Sequence, residues 1–202
     1  VYRNDTIEWV KVKNLNTSDY LSFNINQKYE NDLNLTIEDC WLLGRYCADG
    51  CIEKDRSNYI TFCIGSNKRL EFMEYLNNIP FTETHKNRNC QTFRIQNNKL
   101  LLICNKIGLG AKNKSIPQAI INLPNELLQS FFNGYISGDG FRRKDKNVIM
   151  WTTVSETLML GLSDIVIKLY HKIPTVNIRK DLRKETFNDS YNCQISLEKS
   201  RF

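Results

Sequence analysis

Apolar positions recur at helical spacing in "WLLGRYCAD", residues 41–49, and again in "FFNGYISGD", residues 131–139. Each run ends on an aspartate followed by glycine, Asp49-Gly50 and Asp139-Gly140. Thr36 with Asp39 three positions on is a capping-box signature, so the first helix is predicted to start there; Pro124 is expected near the first turn of the second. After each Asp-Gly, a short charged strand and turn lead into a strand of period-two alternation, with Ile60, Phe62 and Ile64 on one face. "NKRLEFMEYLNNI" and "SETLMLGLSDIVIKLY" read as a further amphipathic helix in each unit, and "NCQTFRIQ" and "SYNCQISLEK" as further strands that share Asn-Cys-Gln.

The same order of elements therefore occurs twice. Aligned without gaps, "ADGCIEKDRSNYITFCI" lies over "GDGFRRKDKNVIMWTTV", and Lys54-Asp55 falls on Lys144-Asp145. This predicts an α+β pseudo-dimer of two αββαββα repeats, one over residues 35–120 and one over 121–202. Residues 1–34 have no counterpart in the second copy. "TIEWVKVKNLNTSDYLSF" suggests short alternating strands, and residues 24–34 a polar linker. "LGAKNKSIPQAIINLPNE" reads as the connector between the copies.

Composition changes this picture little. The chain has 202 residues, 41% hydrophobic and 25% charged, with no apolar run of membrane-span length and no signal peptide at its start. The seven cysteines include no CxxC pair, which favours buried thiols in a reducing compartment over zinc or disulfides. Charge is more informative. Residues 1–40 carry −3, residues 41–140 carry +4 and residues 141–202 carry +5, so the positive excess lies with the repeats and favours a polyanionic partner.

The repeated Asp-Gly is the unusual feature. A carboxylate at a helix C-terminus faces the negative end of the dipole, at a cost of about 0.3–1 kcal/mol. Small residues four apart, Gly44 with Ala48 and Gly134 with Gly138, would let the two helices approach closely and bring Asp49 beside Asp139. Gly50 and Gly140 are expected to take left-handed backbone where the chain leaves each helix. Two adjacent carboxylates suit a divalent cation, Mg²⁺ or Mn²⁺, that also takes oxygens from water and phosphate. Removing either charge is expected to relieve repulsion.

"LLGRYCADG" and "FNGYISGDG" resemble the two signature motifs of the LAGLIDADG homing endonucleases in their single-chain, two-repeat form. "AKNKSIPQAIINLPNELLQSFFNGYISGDG" resembles the block before the second motif in intein-borne members, and "EWVKVKNLNTSDYL" part of an intein splicing domain, of which residues 1–34 would be a remnant. The resemblance implies a saddle of two antiparallel sheets astride double-stranded DNA, with Asp49 and Asp139 binding the catalytic metal. It also implies an active-site lysine two residues before Ile-Pro, here Lys114, with Lys112 as the fallback. Candidates for DNA contact are Lys54, Arg56, Arg88 and Arg94 in the first copy and Arg142, Arg143, Lys144 and Lys146 in the second.

The resulting expectation is an intracellular, monomeric, metal-dependent endonuclease with internal pseudo-twofold symmetry and no membrane partner. Two alternatives remain: a non-cleaving DNA- or RNA-binding module of the same fold (a regulator or maturase), or a fragment of a bifunctional self-splicing intein. The residues needed for splicing are not visible at Val1 or Phe202, so splicing by this chain alone is not expected. The second copy stops before its own equivalent of Lys114, which suggests unequal cutting of the two strands.

Overall fold

The computed structural model describes residues 1–3, 6–20, 28–52, 59–76, 79–86, 89–180 and 189–197. Two helices organise it, α1 (Ile37–Asp49) and α5 (Asn125–Asp139). The capping box starts α1: Thr36 Oγ1 accepts from Asp39 N and Asp39 Oδ2 from Thr36 N, both at 3.2 Å. Pro124 stands at the N-cap of α5.

Each helix runs straight into the edge strand of a four-stranded antiparallel sheet. Strands β3 (Gly50–Ile52), β4 (Ile60–Gly65), β5 (Phe81–Lys86) and β6 (Cys90–Ile95) pair in the order β3-β4-β6-β5. Strands β7 (Gly140–Arg143), β8 (Val148–Thr153), β9 (Thr175–Arg179) and β10 (Ser190–Ser196) repeat that order as β7-β8-β10-β9. Helices α2 (Arg69–Tyr75), α3 (Asn98–Ile107), α4 (Gln118–Ile121) and α6 (Glu156–Tyr170) complete the α+β architecture. N-terminally the described residues form a small ladder, β1 (Tyr2–Arg3) with β2 (Thr6–Ile7), and a 3-10 turn at Val12–Asn14. Of the short alternating strands expected from Thr6 onward, Thr6–Ile7 forms.

The core lies between the helices and one face of each sheet. Phe72 packs its ring 5.2 Å from Phe62 and 5.0 Å from Phe93 under the first sheet. Phe132 meets Trp151 edge-on at 5.6 Å under the second. Period-two alternation leaves the opposite face of each sheet open.

Register corrects the gapless alignment. Gly50 pairs with Phe62 and Gly140 with Trp151, so the second hairpin is one residue shorter. Ile149, Trp151 and Thr153 are therefore the counterparts of Ile60, Phe62 and Ile64, and all six are buried. Without that deletion every side chain of β8 would face the wrong way.

Between the helices the backbones touch. A Cβ on Gly44 would lie 1.8 Å from the Phe131 carbonyl oxygen, and one on Gly134 2.0 Å from that of Trp41. Further along, a Cβ on Gly138 would meet the Ala48 methyl at 2.3 Å. Gly50 and Gly140 do not adopt left-handed backbone; their φ values are −80° and −116°. Glycine is required for space instead, because a Cβ would strike the Cα of Tyr46 or of Ile136 at 2.6 Å.

Adding a methyl at the crossing must push the helices apart, so Gly134→Ala is expected to lower stability by about 3 kcal/mol. At Gly65 the new Cβ would meet the flexible Asn67 side chain at 3.0 Å and the Asn89 carbonyl oxygen at 3.9 Å, and Gly65→Ala should cost at most about 1 kcal/mol. Urea denaturation of both variants measures this; equal midpoints would contradict the close helix contact.

Candidate catalytic and nucleic-acid-binding site

The crossing brings the C-terminal ends of α1 and α5 together. Asp49 is the last residue of α1, and its Oδ2 lies 3.1 Å from where a Cβ on Gly138 would stand, immediately before Asp139 at the end of α5. Around this acidic pair stand three basic side chains from different elements.

Arg45, one turn upstream of Asp49, is buried, with Nη2 at 2.6 Å from Asp49 Oδ2. Its Nη1 donates across the interface to Ser137 Oγ at 3.4 Å, and Ser137 donates in turn to Glu71 Oε2 at 3.1 Å. Lys114 is buried and donates to three carbonyl oxygens at the end of α1: Tyr46, Cys47 at 3.2 Å and Gly50 at 2.9 Å. Its ammonium also lies 4.7 Å over the Tyr46 ring. Lys68, just before α2, donates to the carbonyls of Ser137 and Gly138 at the end of α5. One lysine thus closes each helix end, satisfying last-turn carbonyls and opposing the negative pole of the dipole.

These lysines arrive by different routes. The connector carries Lys114, whose own carbonyl is held by Ser155 Oγ at 2.6 Å and Thr157 Oγ1 at 3.1 Å at the start of α6. Lys68 comes from the first repeat and reaches across to the second helix. Sequence reading missed it, because neither motif predicts a side chain crossing between copies. Arg45 was missed too, although its i,i+4 spacing to Asp49 was visible within the first motif.

Burial, and then the neighbouring Asp49, push Asp139 up to about 6; Lys114, Arg45 and Lys68 pull the other way without cancelling this. Asp139 still reaches solvent, so water meets the carboxyl from one side while protein crowds the rest. Burial lowers the pKa of Lys114, and Cys47, Asp139 and Asp49 offset part of that effect. Among the described residues no cluster of three or more His, Cys, Asp or Glu is placed to hold a metal ion. Two carboxylates fit Mg²⁺ or Mn²⁺ nonetheless, since such ions keep several waters and take phosphate oxygens. Asp139 is raised first by burial and then by Asp49, so its charged form is disfavoured here unless a cation adjoins it.

The open faces of the sheets hold the other candidates. Arg94 lies on the open face of the first sheet, opposite Thr61. Arg143 is on the open face of the second, and Lys146 is exposed in the β7–β8 turn. Arg142 alternates to the helix side instead, donating to Asn133 Oδ1 at 2.7 Å and lining a cleft of about 710 Å³ with Trp41, Tyr75 and Tyr170. Lys144 opens the same turn as Lys146; Lys54, Arg56 and Arg88 lie outside the described residues. Alternation also places Asn177, Arg179, Asn192 and Gln194 on the second open face, beside Thr152 and Met150. Carrying the period-two reading into "SYNCQIS", with Cys193 and Ile195 inward, would have found Asn192 and Gln194.

Asp139 binds a proton more readily folded than unfolded. Between the ordinary carboxylate range and about 6 the folded state therefore holds more protons at this position, and stability falls as pH rises through that window. Asp139→Asn should raise the urea midpoint at pH 7 and leave it near the parent's at pH 4; equal shifts at both would contradict this. Asp49→Asn should instead destabilise the fold, because it strips buried Arg45 of its counter-charge.

No known family's sequence profile matches the chain. It is 31% identical over 181 residues to the ATP-dependent DNA helicase Hel308 of Thermococcus kodakarensis, covering 81% of this chain and 16% of that protein. It is 25% identical over 219 residues to the RNA polymerase subunit Rpo1C of Methanocaldococcus jannaschii, covering 94% and 25%. A DNA polymerase of Thermococcus hydrothermalis is 27% identical over 197 residues, covering 79% and 12%. The chain thus spans a quarter or less of each of these relatives. In three dimensions it is similar to the endonuclease I-DmoI crystallised with DNA and Mn, with 14% identity and TM-score 0.53, covering 80% of this chain and 90% of that one. I-DmoI with DNA and Ca gives 15% identity and TM-score 0.52, covering 80% and 83%. With two four-stranded antiparallel sheets on a pair of crossed motif helices, the chain has the LAGLIDADG α+β fold.

Proposed function

We propose that this chain is a site-specific, metal-dependent DNA endonuclease that hydrolyses both strands of a long recognition site. The observation that carries this reading is the convergence of Asp49 and Asp139 where the glycine-contacted helices end, each end closed by a lysine. When bound there, a divalent ion would supply an activated water and charge stabilisation at the scissile phosphate. Asp49 and Asp139 would hold it, and Arg45 fixes the orientation of Asp49 from the buried side. Lys114 spends its ammonium donors on three carbonyls, so in this state it positions the end of α1 and takes no proton. Lys68 does the same for α5, donating to the carbonyls of Ser137 and Gly138. The open faces would read the major groove: Asn177, Asn192 and Gln194 suit adenine, and Arg94, Arg143 and Arg179 suit guanine or phosphate.

One observation favours a non-cleaving module instead: Arg45 already occupies one oxygen of Asp49 at 2.6 Å. An intein origin is supported by the relatives, since similar segments lie within a helicase, an RNA polymerase subunit and a DNA polymerase. A segment carried between genes accounts for its presence in proteins of such different activity.

With a randomised DNA library as substrate, double-strand cutting should require Mg²⁺ or Mn²⁺. Asp139→Asn should abolish it and leave DNA affinity within a few-fold. Cutting in excess chelator, or by Asp139→Asn at the parent's rate, would refute the proposal. Lys114→Ala and Lys68→Ala should each slow a different strand by about 10²-fold, so that nicked DNA accumulates. A strand-resolved time course that shows both strands slowed equally by each variant would contradict the one-lysine-per-helix assignment.

A further inference from the structure

Four of the seven cysteines, Cys40, Cys47, Cys104 and Cys193, are buried. The other three, Cys51, Cys63 and Cys90, are exposed or half-buried, and the fold brings them together. Cys51 pairs in register with Thr61, two residues before Cys63; Cys63 pairs with Thr92, two residues after Cys90. The three thiols therefore form a diagonal row across β3, β4 and β6 on the open face of the first sheet. A hydrogen bond with Cys90, then burial, then the charges of Asp49 and Cys51 hold the Cys63 thiol above its ordinary pKa, so only a small thiolate fraction is present near neutral pH. Nothing in the sequence suggests this pairing, because the two residues are 27 positions apart without a motif.

We propose that Cys63 and Cys90 are a thiol-modification site, at which a small-molecule disulfide installs a reversible cross-strand bridge that weakens DNA binding. One thiol, as its thiolate, attacks oxidised glutathione; a protein–glutathione disulfide forms and one glutathione leaves, taking up a proton. The second thiol then attacks the protein-side sulfur, closing Cys63–Cys90 and releasing a second glutathione. The protein loses two hydrogens, and the glutathione disulfide is reduced to two thiols. Diagonal neighbours in an antiparallel pair have Cα atoms about 7–8 Å apart, whereas a bridge holds them at about 4.4–6.8 Å. Closure therefore shortens this diagonal between two strands that are already paired, and changes their local twist. The effect on DNA rests on the reading of that face as the DNA-contacting surface; the bridge itself does not.

Cys51 is the built-in control, since it lies on the same face at the other end of the row, two strands away from Cys90. The full chain is treated with oxidised glutathione, and thiols are counted by mass spectrometry with peptide mapping. Fluorescence anisotropy on duplex DNA is measured in Ca²⁺ before and after oxidation. The expected result is a 2 Da loss localised to Cys63–Cys90, retained in Cys51→Ser and absent in Cys63→Ser and Cys90→Ser. Affinity for DNA should fall at least tenfold and return with dithiothreitol. A bridge that involves Cys51, or none in any form, overturns the site. A Cys63–Cys90 bridge with unchanged DNA affinity overturns its regulatory effect. A reduced protein that fails to bind DNA at all refutes the proposed function and leaves the mass result to judge the bridge.

Discussion

Contact between two helix backbones sets the terms for everything else in this molecule. At Gly44 and Gly134 the facing carbonyl oxygens occupy space that any side chain would claim. Helices that approach this closely have little freedom to slide or rotate, so their last residues are fixed relative to one another. Asp49 and Asp139 are consequences of that geometry, as are the edge strands that start one residue later.

The arrangement has an electrostatic cost that the rest of the site offsets. Two carboxylates at two negative helix poles repel, and burial worsens the balance at Asp139. Lys114 and Lys68 answer the dipoles by binding last-turn carbonyls, and Arg45 answers Asp49 directly. Burial still makes the Asp139 carboxyl easier to protonate than usual, an effect that an adjoining divalent cation would reverse. Site preorganisation and the helix crossing are therefore one physical problem, solved with side chains drawn from both halves.

Much of this was legible in the sequence because it rests on local periodicity. The repeat, the two motif helices, the small residues along them and the paired aspartates all follow from spacing alone. What was not legible depends on contacts between distant segments. Lys68 crosses to the helix of the other half, and Lys114 turns inward to carbonyls. Arg142 points to the helix side because β7 pairs it with buried Ile149, on the same face as Gly140 two positions before it. The glycines after each aspartate were read as left-handed turns, whereas the structure needs them for space against Tyr46 and Ile136. The thiol row is likewise visible only once β4 and β6 are paired.

If the crossed helices build one divalent-cation site from a carboxylate of each half, Mn²⁺ should bind the protein without DNA. In electron paramagnetic resonance titrations of Mn²⁺ at pH above 7, binding should be saturable, lost in Asp49→Asn and in Asp139→Asn alike, and weakened in Gly134→Ala as the helices separate. Binding that survives both aspartate substitutions would contradict it.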